Sequence, residues 1–238
     1  TAPAYQWLAD SIDVYEPDFT MQTLALQAFE KDEQGELKQF TLSLLRQADI
    51  NIDEIKVDIV PLSNQAKELV FTDSAGNPVP QGQVKAVRIH AGHHVQSESG
   101  KEAQFFLDLN EESLGTKQLF WFSPILKEVF GKGKTMVIDE LDRSLHPFLV
   151  QFLVELFHTP EINQTNAQLI FTTHDTTLLS LDTFRRDQIY FVEKDPHTAA
   201  TELYSLDEFS VRKNENIEKG YLLGRYGAIP YLRPEGGL

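Results

Sequence analysis

Residues 135–147, TMVIDELDRSLHP, decide how this chain is read. The short apolar run that begins at Thr135 predicts a strand from Thr135 to Asp139, which delivers two adjacent carboxylates, Asp139 and Glu140, to its C-terminal end. Leu145, His146 and Pro147 follow in a loop, and Pro147 suits the first turn of a helix, where a missing N–H costs nothing. Two carboxylates at a strand end suit nucleotide hydrolysis: one holds a magnesium ion and the other takes a proton from water. The same pair also suits a plainer role, an acidic cap on the helix that follows. Taken alone, the stretch leaves both open.

From residue 113 onward, helical and extended patterns alternate. Leu119, Phe122, Leu126 and Val129 share one helical face, with a glycine-broken turn expected at Gly131. Leu149, Phe152, Leu153 and Leu156 stripe the next helix, while 168–172 and 188–192 read as further strands. Such alternation implies a parallel sheet covered on both faces, with its functional groups at the C-terminal strand ends. Asp139 and His174 both fall at such ends.

Upstream the period differs. The first sixty residues read as helices with a strongly acidic surface. Met21, Leu24, Leu26 and Phe29 form one apolar stripe, and Phe40, Leu42, Leu44 and Leu45 form another. KDEQGE (31–36) parts them, so a helical hairpin or arm is expected over residues 1–54. Residues 55–112 then read as an antiparallel β region. Ile55, Val57 and Ile59 alternate with polar residues; 68–72, 85–90 and 103–109 add strands; DSAGNPVP (73–80) is dense in turn formers. His90, His93 and His94 invite a zinc reading, but without a nearby cysteine a solvated or sheet-edge cluster is expected. Arg185 and Arg186 can meet phosphates, although a basic helix end is the commoner arrangement.

A chain of 238 residues suits one large domain or two small ones. Its formal charge of −15 repels phosphate backbones, which argues against direct nucleic-acid binding by this chain. The absence of cysteine excludes disulfides and thiol chemistry and fits an intracellular, cytoplasmic protein. No apolar run reaches membrane-spanning length, so no membrane partner is expected, and no signal-peptide pattern opens the chain.

Four short stretches line up in order. ESLGTKQ (112–118) is a small-residue turn opening an amphipathic helix. Ser113 and Gly115 there either hold a phosphate on the free N–H groups or simply cap and pack the helix. The Asp139–Glu140 pair comes second and SLHP (144–147) third. TTHD (172–175), directly after the strand LIF, comes last; His174 either meets a terminal phosphate and its attacking water or sits in a capped turn.

In this order the four resemble the second half of an ABC-type ATPase head, the fold shared by transporters, SMC and Rad50-like proteins. ESLGTKQ is similar to a degenerate signature motif, TMVIDE to Walker B, SLHP to the D-loop and TTHD to the switch histidine. A narrower likeness, to bacterial AAA15-type ATP-binding proteins of abortive-infection or phage-defence systems, draws on FRRDQIYFVEK (184–194) and YLLGRYGAIPYL (221–232). The resemblance covers about residues 84–232. It implies an α/β fold: a partial P-loop NTPase (ABC-head) parallel sheet over 113–238, with the N-terminal helical arm and the antiparallel β region attached. It implies ATP and Mg²⁺ as cofactors. Asp139 would coordinate Mg²⁺ through water, Glu140 would be the general base, and His174 would sense the γ-phosphate. Ser113 and Gly115, with Lys117 beside them, would face the γ-phosphate bound on a partner protomer; Leu145 and His146 would lie in the loop crossing the dimer interface. A nucleotide-dependent homodimer is implied, and a defence effector protein as a further partner.

One part of that pattern is missing. A phosphate loop needs GxxxxGK[ST], and the nearest candidate, Gly133-Lys134-Thr135, has Glu128 where the first glycine belongs and runs from helix to strand, the reverse of the required order. It reads as a turn. The phosphate loop is therefore expected in an upstream lobe, which the first residue, Thr1 rather than Met, also suggests; this chain alone should not hydrolyse ATP. Two other functions stay in view. One is a non-catalytic module that scaffolds a defence effector through its acidic helices. The other is a metal-dependent hydrolase or nuclease using Asp139, Glu140 and His174, against which the charge argues.

Overall fold

In the computed structural model, which describes residues 2–16, 19–61, 85–96, 102–212 and 215–230, the chain divides into two compact units, 1–173 and 174–238. The first unit runs α1 (Ala2–Ser11), β1 (Ile12–Tyr15), α2 (Phe19–Glu30), α3 (Glu36–Gln47), β2 (Glu54–Pro61), β3 (Lys85–Gln96), β4 (Glu102–Asp108), α4 (Leu114–Lys132), β5 (Thr135–Ile138), α5 (Pro147–His158) and β6 (Gln168–Phe171). The second holds β7 (Tyr190–Lys194), β8 (Thr201–Ser205) and α6 (Ile217–Leu222). The expected strand at 68–72 and the turn at 73–80 lie outside the described residues, as do the last two residues of YLLGRYGAIPYL. Among the described residues no helix is long and apolar enough to cross a membrane.

The parallel sheet expected around residue 135 is present, with β5 at its centre and the order β1-β5-β6. Helices are expected throughout the N-terminal stretch, but Ile12–Tyr15 forms a strand among them. IDVY is too short for its alternation to stand out from the flanking helical patterns. Coverage also differs from expectation. Met136 and Ile138 point to one face and are each 1% exposed, whereas Val14 and Ile170, register partners of Val137 on the other face, are 72% and 57% exposed. The expected strand near 188–192 exists as β7, but it pairs antiparallel with β8 in the second unit instead of extending the parallel sheet.

Helices α2 and α3 form the expected hairpin, turned by a left-handed Gly35 and by Asp32, whose carboxylate accepts the Leu37 and Lys38 N–H groups. Both pack on α4. Phe29 stacks on Phe120 at 4.6 Å, and the buried Thr41 hydroxyl meets the buried Ser123 hydroxyl at 2.7 Å. Ser123 also repairs a break in its own helix: Pro124 cannot donate to the Phe120 carbonyl, and the Ser123 hydroxyl does so at 2.7 Å. The stripe Leu119, Phe122, Leu126 and Val129 is buried as expected. Strands β2, β3 and β4 form an antiparallel meander, and Gly92 is required within it because a Cβ there would lie 2.7 Å from the Phe106 ring.

Helix α4 runs through Gly131, and the turn comes at Gly133, whose left-handed backbone caps the helix while a Cβ there would sit 2.7 Å from the Thr165 carbonyl oxygen. Lys134 then ties the entry of β5 to its neighbours. Its ammonium donates to Asp13 on β1 at 2.7 Å and to Glu128 on α4 at 3.0 Å. The GKT ending that imitates a phosphate loop is thus a helix cap followed by an ion-pair staple.

In the second unit, Phe191, Leu206, Ile217 and Tyr226 form the core, and Phe191 stacks on both Tyr221 and Tyr226. The Tyr204 hydroxyl donates to the Tyr226 carbonyl at 2.7 Å, and burial pushes its pKa up to about 12. Of these, Phe191 and Tyr226 belong to the two stretches that carried the narrower likeness, while Leu206 and Ile217 lie outside them.

The staple sets a pH prediction. Hydrogen bonds from Lys132 and Lys134 hold the Glu128 carboxyl below its ordinary range, so the folded chain binds fewer protons than the unfolded chain there. Stability should fall as pH drops through the carboxylate range. The Asp13 contact, opposed in part by desolvation, raises the Lys134 ammonium above the usual lysine value, so its share holds through neutral pH and is lost only in strong alkali. Lys134→Met should cost about 1–3 kcal/mol at pH 7 and flatten the acid limb, as read by urea melts across pH.

Candidate functional site

Tyr15, Ile138 and Phe171 are register partners, so all three parallel strands end at one level and the chain leaves the sheet along one edge. Asp139 follows the central strand, its N–H directed at the Tyr15 carbonyl at 3.4 Å. Glu140 takes a left-handed backbone, φ 53°, unusual for a residue with a side chain and costing about 1 kcal/mol. The turn is fastened on both sides. Leu141, 1% exposed, anchors it in the core and donates its N–H to the Thr172 carbonyl at 3.0 Å, while Arg143 N–H closes on the Glu140 carbonyl at 2.9 Å. Both carboxylates face solvent. The Thr172 hydroxyl donates to Asp139 Oδ1 at 2.5 Å and accepts the Glu140 N–H at 2.8 Å.

The small-residue turn opens the 19-residue helix α4 with Ser113 as its N-cap, accepting the Thr116 N–H at 3.1 Å. Lys117 reaches back to the Asn110 carbonyl at 3.1 Å. Gly115 lies against the third motif: a Cβ built on it would be 3.7 Å from the Ser144 carbonyl and 3.6 Å from Leu149. His146 caps α5, its Nδ1 accepting the Phe148 N–H at 3.2 Å, and Pro147 takes the first helical position. Leu145 closes the preceding turn on the Asp142 carbonyl. Leu114 and Phe148, 65% and 75% exposed, flank this junction. The fold therefore brings ESLGTKQ and SLHP side by side, 31 positions apart in sequence if counted from Ser113 to Ser144.

His174 opens the second unit, two residues beyond Thr172 along the chain, and Asp175 caps the short turn after it by accepting the Thr177 N–H at 3.0 Å. The residues at the sheet edge fit a magnesium ion that takes its remaining oxygens from a nucleotide, because Mg²⁺ at phosphates uses only one or two protein carboxylates. Asp139 and Glu140 are hard oxygen donors of that kind, and among the described residues no group of three or more potential ligands forms a cage of its own.

That finding covers the three histidines, which the fold separates by giving each its own carboxylate. His90 meets Asp58 at 3.3 Å, His94 meets Asp53 at 2.9 Å, and His93 meets Glu112 at 2.6 Å while stacking on Phe105. No acid adjacent in sequence announced these partners; the pairing of β2 with β3, which sets 54–58 beside 88–92, brings Asp53 and Asp58 within reach of the rings. Glu112 immediately precedes Ser113, so His93 fixes the approach to α4. Hydrogen bonding to His94 also holds the exposed Asp53 carboxyl below its usual range. Thr172 was in view within TTHD but drew no role in the sequence; its signal was a hydroxyl at the end of the strand beside Asp139. The Lys134–Asp13 pair spans 121 positions and had no local signal.

A family described as "AAA domain, putative AbiEii toxin, Type IV TA system" matches residues 5–180, about three-quarters of the chain. The match takes in the parallel sheet, the β meander and all four motifs. No curated protein matches the chain.

Removing the His93 ring leaves Glu112, with only 10% of its side chain exposed, short of its partner. His93→Ala should cost about 1–3 kcal/mol in a urea melt. Because the rings serve separate carboxylates, Zn²⁺ should leave the melting temperature of the unaltered chain unchanged; a zinc-dependent rise that His93→Ala abolishes would restore the metal reading.

Proposed function

Because this chain belongs to that AbiEii-type AAA-domain family, we propose that it is the carboxylate-bearing part of an ABC/SMC-like ATPase that binds and hydrolyses ATP at a dimer interface, within a phage-defence or toxin–antitoxin system. The family places it among AAA-type P-loop NTPase domains, whose class activity is ATP binding and hydrolysis. The observation that carries the finer reading is the Asp139–Glu140 pair at the C-terminal edge of the central parallel strand, held in an otherwise unfavourable backbone turn. Strain is retained where a side chain must be aimed.

In this reading Glu140 takes a proton from the water attacking the γ-phosphate. Asp139 would hold Mg²⁺, which when bound neutralises charge on the phosphates. His174 contacts the γ-phosphate. The N-terminus of α4, with Ser113, Gly115 and Lys117, faces the nucleotide of a second protomer, and Leu145 and His146 lie where the protomers cross. Support for a shared interface is the junction of Gly115 with Ser144, flanked by the exposed Leu114 and Phe148. The phosphate grip has no counterpart in this sequence, so binding depends on a P-loop lobe supplied by the complete protein. The alternative, a non-catalytic scaffold for a defence effector, finds its support in the uncovered sheet face at Val14 and Ile170.

Glu140→Gln in the full-length protein separates the two. It should lower ATP turnover by about 100-fold or more while ATP affinity stays within about 3-fold, as measured by phosphate release and calorimetry. Turnover equal to that of the unaltered protein would overturn the ATPase assignment, and effector co-purification undisturbed by the change would support the scaffold.

A further inference from the structure

We propose that Thr172 is a positioning residue for hydrolysis, holding Asp139 and Glu140 in the relative orientation the reaction needs; the inference rests on the ATPase reading above. Thr172 engages four consecutive residues across the strand pair. Its N–H donates to the Ile138 carbonyl at 3.0 Å and its carbonyl accepts the Leu141 N–H at 3.0 Å. Between those two backbone bonds, its hydroxyl donates to Asp139 Oδ1 at 2.5 Å and accepts the Glu140 N–H at 2.8 Å. The backbone bonds do not depend on the side chain. The two hydroxyl bonds need serine or threonine.

The direction of each hydroxyl bond is fixed by proton count. A hydroxyl carries one proton. With the Glu140 N–H pointing at the oxygen, that proton is directed to Asp139. The Asp139 carboxylate is thereby held against rotation with Oδ1 engaged, which leaves its second oxygen as the one that can face a cation or its water. The same oxygen atom satisfies the amide of Glu140, the residue in the left-handed region. Without that acceptor the peptide is free to relax toward ordinary backbone angles, and the Glu140 carboxylate is re-aimed. Small misplacements of a reacting group cost rate far more than they cost binding. Thr172 thus sets both carboxylates through one atom, touching neither nucleotide nor water itself.

The test compares Thr172→Val, which keeps the shape and loses the hydroxyl, with Thr172→Ser, which keeps the hydroxyl, in the full-length protein. Thr172→Val should lower kcat for ATP by about 10-fold or more with KM within about 2-fold, and Thr172→Ser should stay within about 3-fold of the unaltered rate. Amide exchange at Glu140 should quicken by about 10-fold in Thr172→Val alone, with the exchange of β5 and β6 unchanged and the melting temperature within about 2 °C. A merely structural role would instead lower the melting temperature and loosen the whole sheet while each folded molecule kept its rate. Unchanged Glu140 exchange in Thr172→Val, an unchanged kcat, or a serine variant as slow as the valine one overturns the inference. Glu140→Gln distinguishes the two levels. If it abolishes turnover while Thr172→Val does not, only the positioning role fails; if it leaves turnover intact, the ATPase reading fails and the positioning role with it.

Discussion

The site depends on the pairing of β5 with parallel neighbours on both sides. Four residues, Thr135 to Ile138, have a strand hydrogen-bonded along each edge, and all three strands finish level. The residues beyond Ile138 cannot continue as strand, because the chain must turn to begin α5. They leave the sheet at an edge where backbone groups at the end of β1 and just past β6 wait for partners: Asp139 finds Tyr15, Leu141 finds Thr172. Burying Met136 and Ile138 fixes the register, since a slip of one residue would turn them to the exposed face. The position of the two carboxylates follows from that register.

The surrounding elements hold the central strand in place by different means. Lys134 secures its entry electrostatically, to Asp13 on one side and Glu128 on the other, and the neighbouring Tyr15 hydroxyl, chiefly by burial and then by Asp13, is pushed up to about 12. Gly133 secures the preceding helix end sterically, by fitting where no Cβ can. Helices α2 and α3 fix α4 through Phe120 and Ser123, and His93 fixes its start through Glu112. Each contact acts on α4 or β5, the two elements that present ESLGTKQ and Asp139–Glu140.

Much of this was legible in the sequence where the signal was local. The Leu119–Val129 stripe gave α4, KDEQGE gave the turn between α2 and α3, and Pro147 marked the start of α5. What escaped depended on partners distant in sequence. IDVY shows too few residues to announce a strand, and becomes one because β5 offers it hydrogen bonds. The three histidines looked like one cluster because they are close in sequence; alternation along β3 sends His93 to the face opposite His90 and His94, and each ring finds a different acid. At the sheet edge, the motifs picked out Asp139, Glu140 and the junction residues as candidates, but the Thr172 hydroxyl bonds to Asp139 and Glu140 were invisible until β6 was placed beside β5. The expectation of a sheet covered on both faces came from whole α/β domains. It fails at Val14 and Ile170, whose side chains are exposed.

In the proposed function, Asp139 and Glu140 form the hydrolytic half of a nucleotide site. A crystal structure of the full-length protein with Mg²⁺ and a non-hydrolysable ATP analogue tests it most directly. Asp139 is expected at the metal through a water, Glu140 on a water in line with the γ-phosphate, and the Thr172 hydroxyl still between them. A nucleotide bound away from the C-terminal edge of β5, with both carboxylates in bulk solvent, would contradict it.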